Sequence, residues 1–156
     1  MPPLYIFDVD GTVALIDHRR HLLEGDDPDK WRKFYAACDK DLPNTPVIET
    51  LERLWESGAD IWFFSGRSSE VRGKTVDWLS EHTSFACQSQ HYMDTTLVMR
   101  ELGDTTADDD LKRSWYEGML DIDKERLVAV FDDRKRVVDM WRSLGVTCFQ
   151  VAPGEF

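Results

Sequence analysis

The chain has 156 residues, 42% of them hydrophobic and 31% charged, with a formal net charge of -11. This length suits one well-cored globular domain, and no apolar run reaches the roughly 20 residues of a membrane-spanning helix. The acidic balance and an N-terminus without a signal-peptide pattern argue against a membrane partner and against a broad surface for duplex nucleic acid, although cations focused in a cleft could hold an anionic substrate.

Apolar strand patterns alternate with helical patterns along the chain. The predicted strands are rich in Val, Ile, Leu, Phe and Trp and cover residues 3–8, 60–64, 97–100, 127–131 and 146–151. Predicted helices run from Thr45 to Gly58, from Ser68 or Ser69 through Leu79, over about 108–120, and from about 134 to Leu144. This alternation predicts an α/β fold, a Rossmann-like parallel sheet with helices on both faces.

Two segments do not follow this alternation. Residues 15–44 separate the first strand from its helix, and an α/β connection needs only a few residues there. We therefore predict a small helical cap, inserted at about residues 15–44 in a single domain of residues 1–156. Residues 82–95 form a second stretch, which we predict to be irregular.

Polar residues follow three of the predicted strands. Because parallel strands end at one edge of a sheet, these residues should meet there, together with a lysine from the third predicted helix. The set consists of Asp8, Asp10 and Gly11, Ser65, Gly66 and Arg67, Asp132 and Asp133, and Lys112. A buried carboxylate is costly unless it is paired or bound to metal, so the carboxylates favour a hard cation and a phosphate as ligands.

These motifs resemble, in order and over nearly the whole chain, the four motifs of the haloacid dehalogenase (HAD) superfamily, in its phosphatase branch. The resemblance implies a HAD fold and a phosphoric monoester hydrolase. It implies that Asp8 is the nucleophile that becomes an aspartyl-phosphate. Asp10 would protonate the leaving alkoxide and then activate water. Mg²⁺ would be held by Asp8, the backbone carbonyl of Asp10, and Asp132, while Asp133 would bind through water or orient the other ligands. Which of Asp132 and Asp133 contacts the ion directly is left open.

The resemblance also implies the phosphate contacts. Ser65 and the amides that follow it, beginning with Gly66, would bind phosphate oxygens, and Lys112 would neutralise charge as it develops. The acidic run from Asp108 to Asp110 is interpreted as favourable charge at a helix N-terminus rather than as a second metal site. Thr12 is interpreted mainly as a cap.

A closer resemblance, to the 3′-phosphatase domain of phage-type polynucleotide kinase/phosphatase, lies in residues 6–14, 65–67, 131–134, 137–142 and 145–152, and in Arg100 with 103–105. It implies that Arg67 and Arg100 help to hold the substrate and its phosphate; each could instead form a surface salt bridge. Gly73-Lys74-Thr75 is not a kinase phosphate loop, because Ser68 stands where that loop needs glycine.

The substrate is left open by the 15–44 segment. Arg19 and Arg20 could meet a second phosphate or a nucleic-acid backbone, and Trp31 and Tyr35 could stack on a base. Equally, the aromatic side chains could pack the cap while the arginines stay solvated.

The three cysteines are widely spaced and form no CxxC pair, which indicates reduced thiols and a cytoplasmic location. His82, Cys87 and His91 could ligate zinc, but their spacing fits no familiar finger and a fourth ligand is missing.

The sequence therefore predicts a Mg²⁺-dependent phosphomonoesterase that acts on a nucleic-acid 3′-phosphate or a related nucleotide. A 5′-nucleotidase or small-metabolite phosphatase is the alternative, favoured by the acidic charge and the enlarged cap. A catalytically silent phosphate-binding module is disfavoured by the intact set of motifs. The sequence does not indicate an oligomeric state.

Overall fold

A computed structural model describes residues 1–84 and 90–155, and a parallel sheet of five strands lies at its centre. The strands in chain order are β1 (Leu4–Phe7), β2 (Ala14–Leu15), β3 (Leu42–Pro43), β4 (Asp60–Ser68), β5 (Leu97–Arg100), β6 (Leu127–Asp132) and β7 (Cys148–Gln150). The central sheet has the order β5-β4-β1-β6-β7. Strand β1 is therefore flanked by the two strands whose ends carry the other predicted motifs.

Helices cover both faces of the sheet. They are α1 (Lys30–Ala36), α2 (Thr45–Glu56), α3 (Arg72–His82), α4 (Gln90–Thr96), α5 (Asp108–Glu117), α6 (Asp121–Arg126) and α7 (Lys135–Ser143), with 3-10 helices at Asp17–Leu23, Cys38–Lys40 and Ser69–Val71. The predicted α/β architecture is confirmed.

The core consists of two apolar clusters separated by the sheet. Side chains alternate along β1, so Leu4 and Ile6 pack with residues of α7 while Phe7 packs with residues of α2 and α3. Trp141 fills the first cluster and Trp78 belongs to the second; both are buried. In sheets covered on both faces, ligands bind outside the carboxyl ends of the strands.

Several predicted boundaries were wrong. Strand β4 continues to Ser68, because a register shift against β5 between Ser65 and Ser68 absorbs two residues as a bulge. The predicted helix over 108–120 ends at Glu117, and α6 follows as an element that the prediction missed. Helix α4 covers residues 90–95 of the stretch expected to be irregular and ends at Thr96.

Residues between β1 and α2 form a separate layer above the edge of the sheet. The antiparallel pair of β2 and β3 closes this segment at its base, and α1 and two of the 3-10 helices lie between them. Phe34 and Cys38 are buried in it, and the Arg19 guanidinium lies 4.1 Å from the centre of the Phe34 ring. The Tyr35 hydroxyl donates to the Gly66 carbonyl at 3.2 Å, which joins this layer to the bulge of β4.

Within the described residues, no helix combines the length and apolar character needed to cross a membrane. Cys38 and Cys148 are buried free thiols. Cys87, and with it the weak zinc hypothesis, lies outside the described residues.

Candidate active site

Asp8 is held in a tight turn directly after β1. Its amide donates to the Phe131 carbonyl at 2.9 Å, and the Ala14 amide donates back to the Val9 carbonyl at 3.0 Å to close the turn. Gly11 adopts a φ of 80°, and a Cβ there would collide with the Asp133 carboxylate. The glycine is therefore required both for the backbone conformation and for the close approach of a second acidic side chain.

Three buried carboxylates meet at this edge, one from the β1 turn and two from the end of β6. Oxygen atoms of Asp8, Asp132 and Asp133 lie within 4.8 Å of one another. Burial is the main cause, and repulsion from the Asp132 carboxylate the next, of raised pKa values at two of these groups. The pKa of Asp8 lies well above its ordinary value, and the pKa of Asp133 is raised to about 6. Burial also raises the pKa of Asp132. The cluster is short of positive charge.

Lys112 of α5 supplies a cation to this cluster. Its buried Nζ donates to Asp8 Oδ1 at 2.7 Å and to Asp132 Oδ2 at 2.8 Å, and lies 3.5 Å from Asp108. Burial alone would lower the pKa of Lys112, but the three carboxylates outweigh burial and raise it. The lysine is therefore a fixed ammonium. Its single positive charge does not balance the carboxyl groups of Asp8, Asp132 and Asp133.

Two buried arginines hold the side chain of Asp10. Arg19 Nη2 and Arg67 Nε donate to Asp10 Oδ1 at 2.6 and 2.7 Å. Burial alone would raise the pKa of Asp10, but the guanidinium groups of Arg67 and Arg19 outweigh it and lower that pKa. Asp10 is therefore held as a carboxylate.

Asp41, which the sequence interpretation missed, holds the same two arginines. Its buried carboxylate accepts from Arg19 Nε and Nη2, both at 2.7 Å, and from Arg67 Nη2 at 2.8 Å. His18 Nε2 lies 2.7 Å from the same group. Asp41 stands 31 residues after Asp10 with no recognisable motif around it, so no local signal could have identified it.

The bulge of β4 lies at the same edge of the sheet, next to strand β1. Ser65 is buried, and its Oγ accepts from the Arg67 amide at 3.2 Å, which leaves the hydroxyl proton available. Arg100 Nε donates to the Gly66 carbonyl at 2.9 Å, and Arg100 Nη1 donates to the carbonyls of Asp104 and Thr106. Arg100 thus fixes the bulge and the loop after β5 while bordering the cavity described below.

Asp108 belongs to the acidic run that the sequence interpretation explained only as charge at a helix N-terminus. It lies in the first turn of α5, as expected, but its carboxylate points into the site, 3.7 Å from Arg100 and 3.5 Å from Lys112. Its Oδ1 is buried and accepts no hydrogen bond from any residue that the structure describes. The spacing of four residues between Asp108 and Lys112 was the available signal, since such pairs share a helix face.

A cavity of about 780 Å³ opens over these groups. Its floor includes Asp8, Asp10 and Asp133, and Gly66 and Arg20 border it. The fully buried side chains of Arg19, Arg67 and Lys112 support the floor from beneath. The structure therefore brings the predicted residues to one edge of the sheet, with Arg19 and Arg67 directed at Asp10.

The carboxylate trio is also the one acidic, histidine or cysteine cluster in the described ranges whose geometry suits a metal. The Gly73-Lys74-Thr75 segment lies within α3, and its lysine donates to the Ala36 carbonyl, in keeping with the rejection of a kinase loop.

Comparison with known proteins places the chain among phosphatases. A family model described as the polynucleotide kinase PNKP phosphatase domain matches residues 2–156. A predicted bifunctional polynucleotide kinase/RNA ligase of Autographa californica nuclear polyhedrosis virus is 32% identical over 152 residues, which is 96% of this chain and 19% of the viral protein.

Solved structures give the same picture. A chain of the Pnkp1/Rnl/Hen1 RNA repair complex is 31% identical with a TM-score of 0.76, covering 99% of this chain and 44% of that one. The class C acid phosphatase from Bacillus anthracis has a TM-score of 0.66 at 16% identity, covering 99% of this chain and 67% of its own, a likeness of fold alone. This chain spans less than half the length of the repair-complex chain.

The parallel sheet and its acidic edge define a HAD-type phosphatase, a phosphoric monoester hydrolase. Within that superfamily, the chain belongs to the family of PNKP phosphatase domains.

Proposed function

We propose that this chain removes the 3′-phosphate from nucleic-acid ends by a magnesium-assisted reaction through an aspartyl-phosphate on Asp8. The observation that carries the proposal is the placement of Asp8 on the floor of the cavity, with Lys112 2.7 Å away and two further carboxylates beside it. This is the charge pattern expected of a site that transfers a phosphoryl group to a carboxylate.

In the first step, an oxygen of Asp8 attacks phosphorus, and the bond from phosphorus to the ester oxygen breaks. Attack requires the ionised carboxylate, whereas burial and Asp132 raise the pKa of Asp8. The ammonium of Lys112 opposes that effect, and a bound cation would oppose it further. The two oxygens of Asp8 have different partners. Thr12 Oγ1 donates to Asp8 Oδ2 at 3.3 Å, whereas Lys112 Nζ donates to Asp8 Oδ1.

Asp10 serves the leaving group and then water. The ester oxygen leaves as an alkoxide and takes a proton from Asp10; water then attacks the aspartyl-phosphate and gives a proton back to Asp10. Arg19 and Arg67 hold Asp10 ionised, the form that the second step needs. A bound phosphate dianion, adding negative charge beside Asp10, would raise its pKa for the first step. The two arginines thus act through Asp10 rather than on the phosphate.

The carboxylate trio fits Mg²⁺. All three groups are hard oxygen donors, and burial raises the pKa of each carboxyl. Asp8, Asp132 and the backbone carbonyl of Asp10 would hold the ion, with Asp133 as a further ligand directly or through water. When bound, it would offset the repulsion between these carboxylates and the phosphate dianion.

The remaining groups orient the phosphate. Ser65 retains a hydroxyl proton to donate, and the Gly66 backbone lies at the cavity wall. Arg100 and Arg20 border the same cavity, where their positive charge attracts an anionic substrate.

A nucleic-acid end is supported as substrate by the kind of relatives found, a PNKP phosphatase family and an RNA repair complex. Free thiols at Cys38 and Cys148 fit a reducing, cytoplasmic setting.

Initial rates with Mg²⁺ on a 3′-phosphorylated oligonucleotide, against nucleoside 3′- and 5′-monophosphates, test the proposal. Efficient hydrolysis of mononucleotides with negligible oligonucleotide turnover would favour the alternative, a nucleotidase. Loss of turnover in a chelator, restored by Mg²⁺, tests the metal requirement.

A further inference from the structure

The cavity extends well beyond the groups that handle a phosphate. Its upper walls come from the layer above the sheet and from the loop after β5, and they are largely apolar. The apolar side chains that line it include Ile16, Leu23, Trp31 and Leu102. A phosphate alone needs charge and hydrogen bonds, so these walls indicate that the part of the substrate attached to the phosphate is flat or apolar.

Trp31 is the side chain best placed to meet such a group. It is 50% exposed, whereas Phe34, one helical turn later, is 4% exposed and packs the interior. The indole contacts the rings of Phe34 and Tyr35, each with centroids 5.9 Å away, which fix its orientation. Tyr35 is itself anchored to the Gly66 carbonyl. A large aromatic surface is thus held open, on a rigid support, at the rim of the reaction site.

Leu102 provides a second exposed apolar wall. It is 70% exposed in the loop that Arg100 ties to the bulge of β4. Exposed apolar side chains gathered around a cleft mark a ligand site more often than scattered ones do.

We propose that Trp31, with Leu102, forms a stacking subsite for the nucleobase of the nucleotide that carries the phosphate. The proposal rests on the proposed function, because it assumes a nucleotide at the cleavage site. Every base offers a π-face, so stacking holds a base without reading its identity. A cavity of about 780 Å³ suits a single nucleotide rather than a paired end.

The test compares substrates with and without a base. One pair is a 3′-phosphorylated single-stranded oligonucleotide and the same molecule whose last residue lacks its base; the other is a nucleoside 5′-monophosphate and ribose 5-phosphate. Trp31→Ala should lower kcat/KM for the base-containing members about 5- to 140-fold, the range that stacking of one base provides. The baseless members should be hydrolysed as by the wild-type protein, and Trp31→Phe should retain most activity on both.

Leu102→Ala has a matched control in Leu120→Ala, since Leu120 is 69% exposed and lies outside this cavity. Only the first should weaken base-dependent hydrolysis. An equal loss on both members of each pair, or no loss on either, would overturn the subsite. If the wild-type protein hydrolyses mononucleotides but no oligonucleotide, the 3′-end proposal fails, and the mononucleotide pair still decides the subsite.

Discussion

Asp41→Asn removes the carboxylate that neutralises two buried arginines. Asp41 accepts three hydrogen bonds from Arg19 and Arg67, and its side chain is fully buried. Together with Asp10, these groups carry two positive and two negative charges, so the substitution leaves one buried positive charge without a partner. Breaking a buried ion pair in this way costs about 3–5 kcal/mol. For a domain of this size, that loss lowers the melting temperature by about 6–20 °C.

Asp39→Asn is the matched control. Asp39 lies two residues earlier and pairs with Lys74 at 3.5 Å, but both side chains are well exposed. An exposed pair of this kind contributes at most about 1 kcal/mol. Thermal unfolding followed by circular dichroism compares the two variants, and hydrolysis of an alkyl phosphate ester measures the accompanying loss of Asp10 orientation. Equal, small shifts in both variants would refute the idea that Asp41 neutralises the arginine pair.

Three further results are expected. Because the pKa of Asp133 is raised from 3.8 to about 6, the metal-free protein has the associated stability in full below about pH 4 and loses it as the pH rises through about 6. The melting temperature in chelator should therefore fall from about pH 4 to 7, and Mg²⁺ should restore more stability at the higher pH. Gly11→Ala and Gly58→Ala both strain a left-handed residue, by about 1–2 kcal/mol, but only the first should abolish hydrolysis, because its Cβ displaces Asp133. Asp10→Asn should slow esters with poor leaving groups most, and a uniform loss across a series of esters would contradict its acid role.

The fold was largely predictable because each strand pattern stood between clear helix signals. The run from Leu97 to Arg100 was predicted at its observed boundaries, and the helix starting at Thr45 was predicted at its observed start, although it ends at Glu56. The bulge after Ser65 was not, since only pairing with β5 determines that β4 continues. Helix α6 was missed because its six residues are too few to show a helical repeat of apolar side chains, and none of them is buried.

The site residues that directly follow strands were predictable. Those placed by contacts between distant parts of the chain were not. Asp8 and Asp132 end neighbouring strands, so topology alone brings them together. The role of Asp41 depends on how the layer above the sheet folds back, which no spacing in the sequence encodes. Arg19, for which a substrate contact and a solvated position were both left open, is instead turned inward by that same fold.

The central claim is that Asp8 forms the covalent intermediate. The direct measurement is a rapid acid quench of the Mg²⁺-loaded protein with phosphorylated substrate, followed by mass spectrometry of the peptide that contains residues 4–15. We expect one phosphoryl group on Asp8 during turnover, and none in folded Asp8→Asn protein, which should also be inactive. Full activity in Asp8→Asn, or a phosphoryl group on another residue, would contradict it.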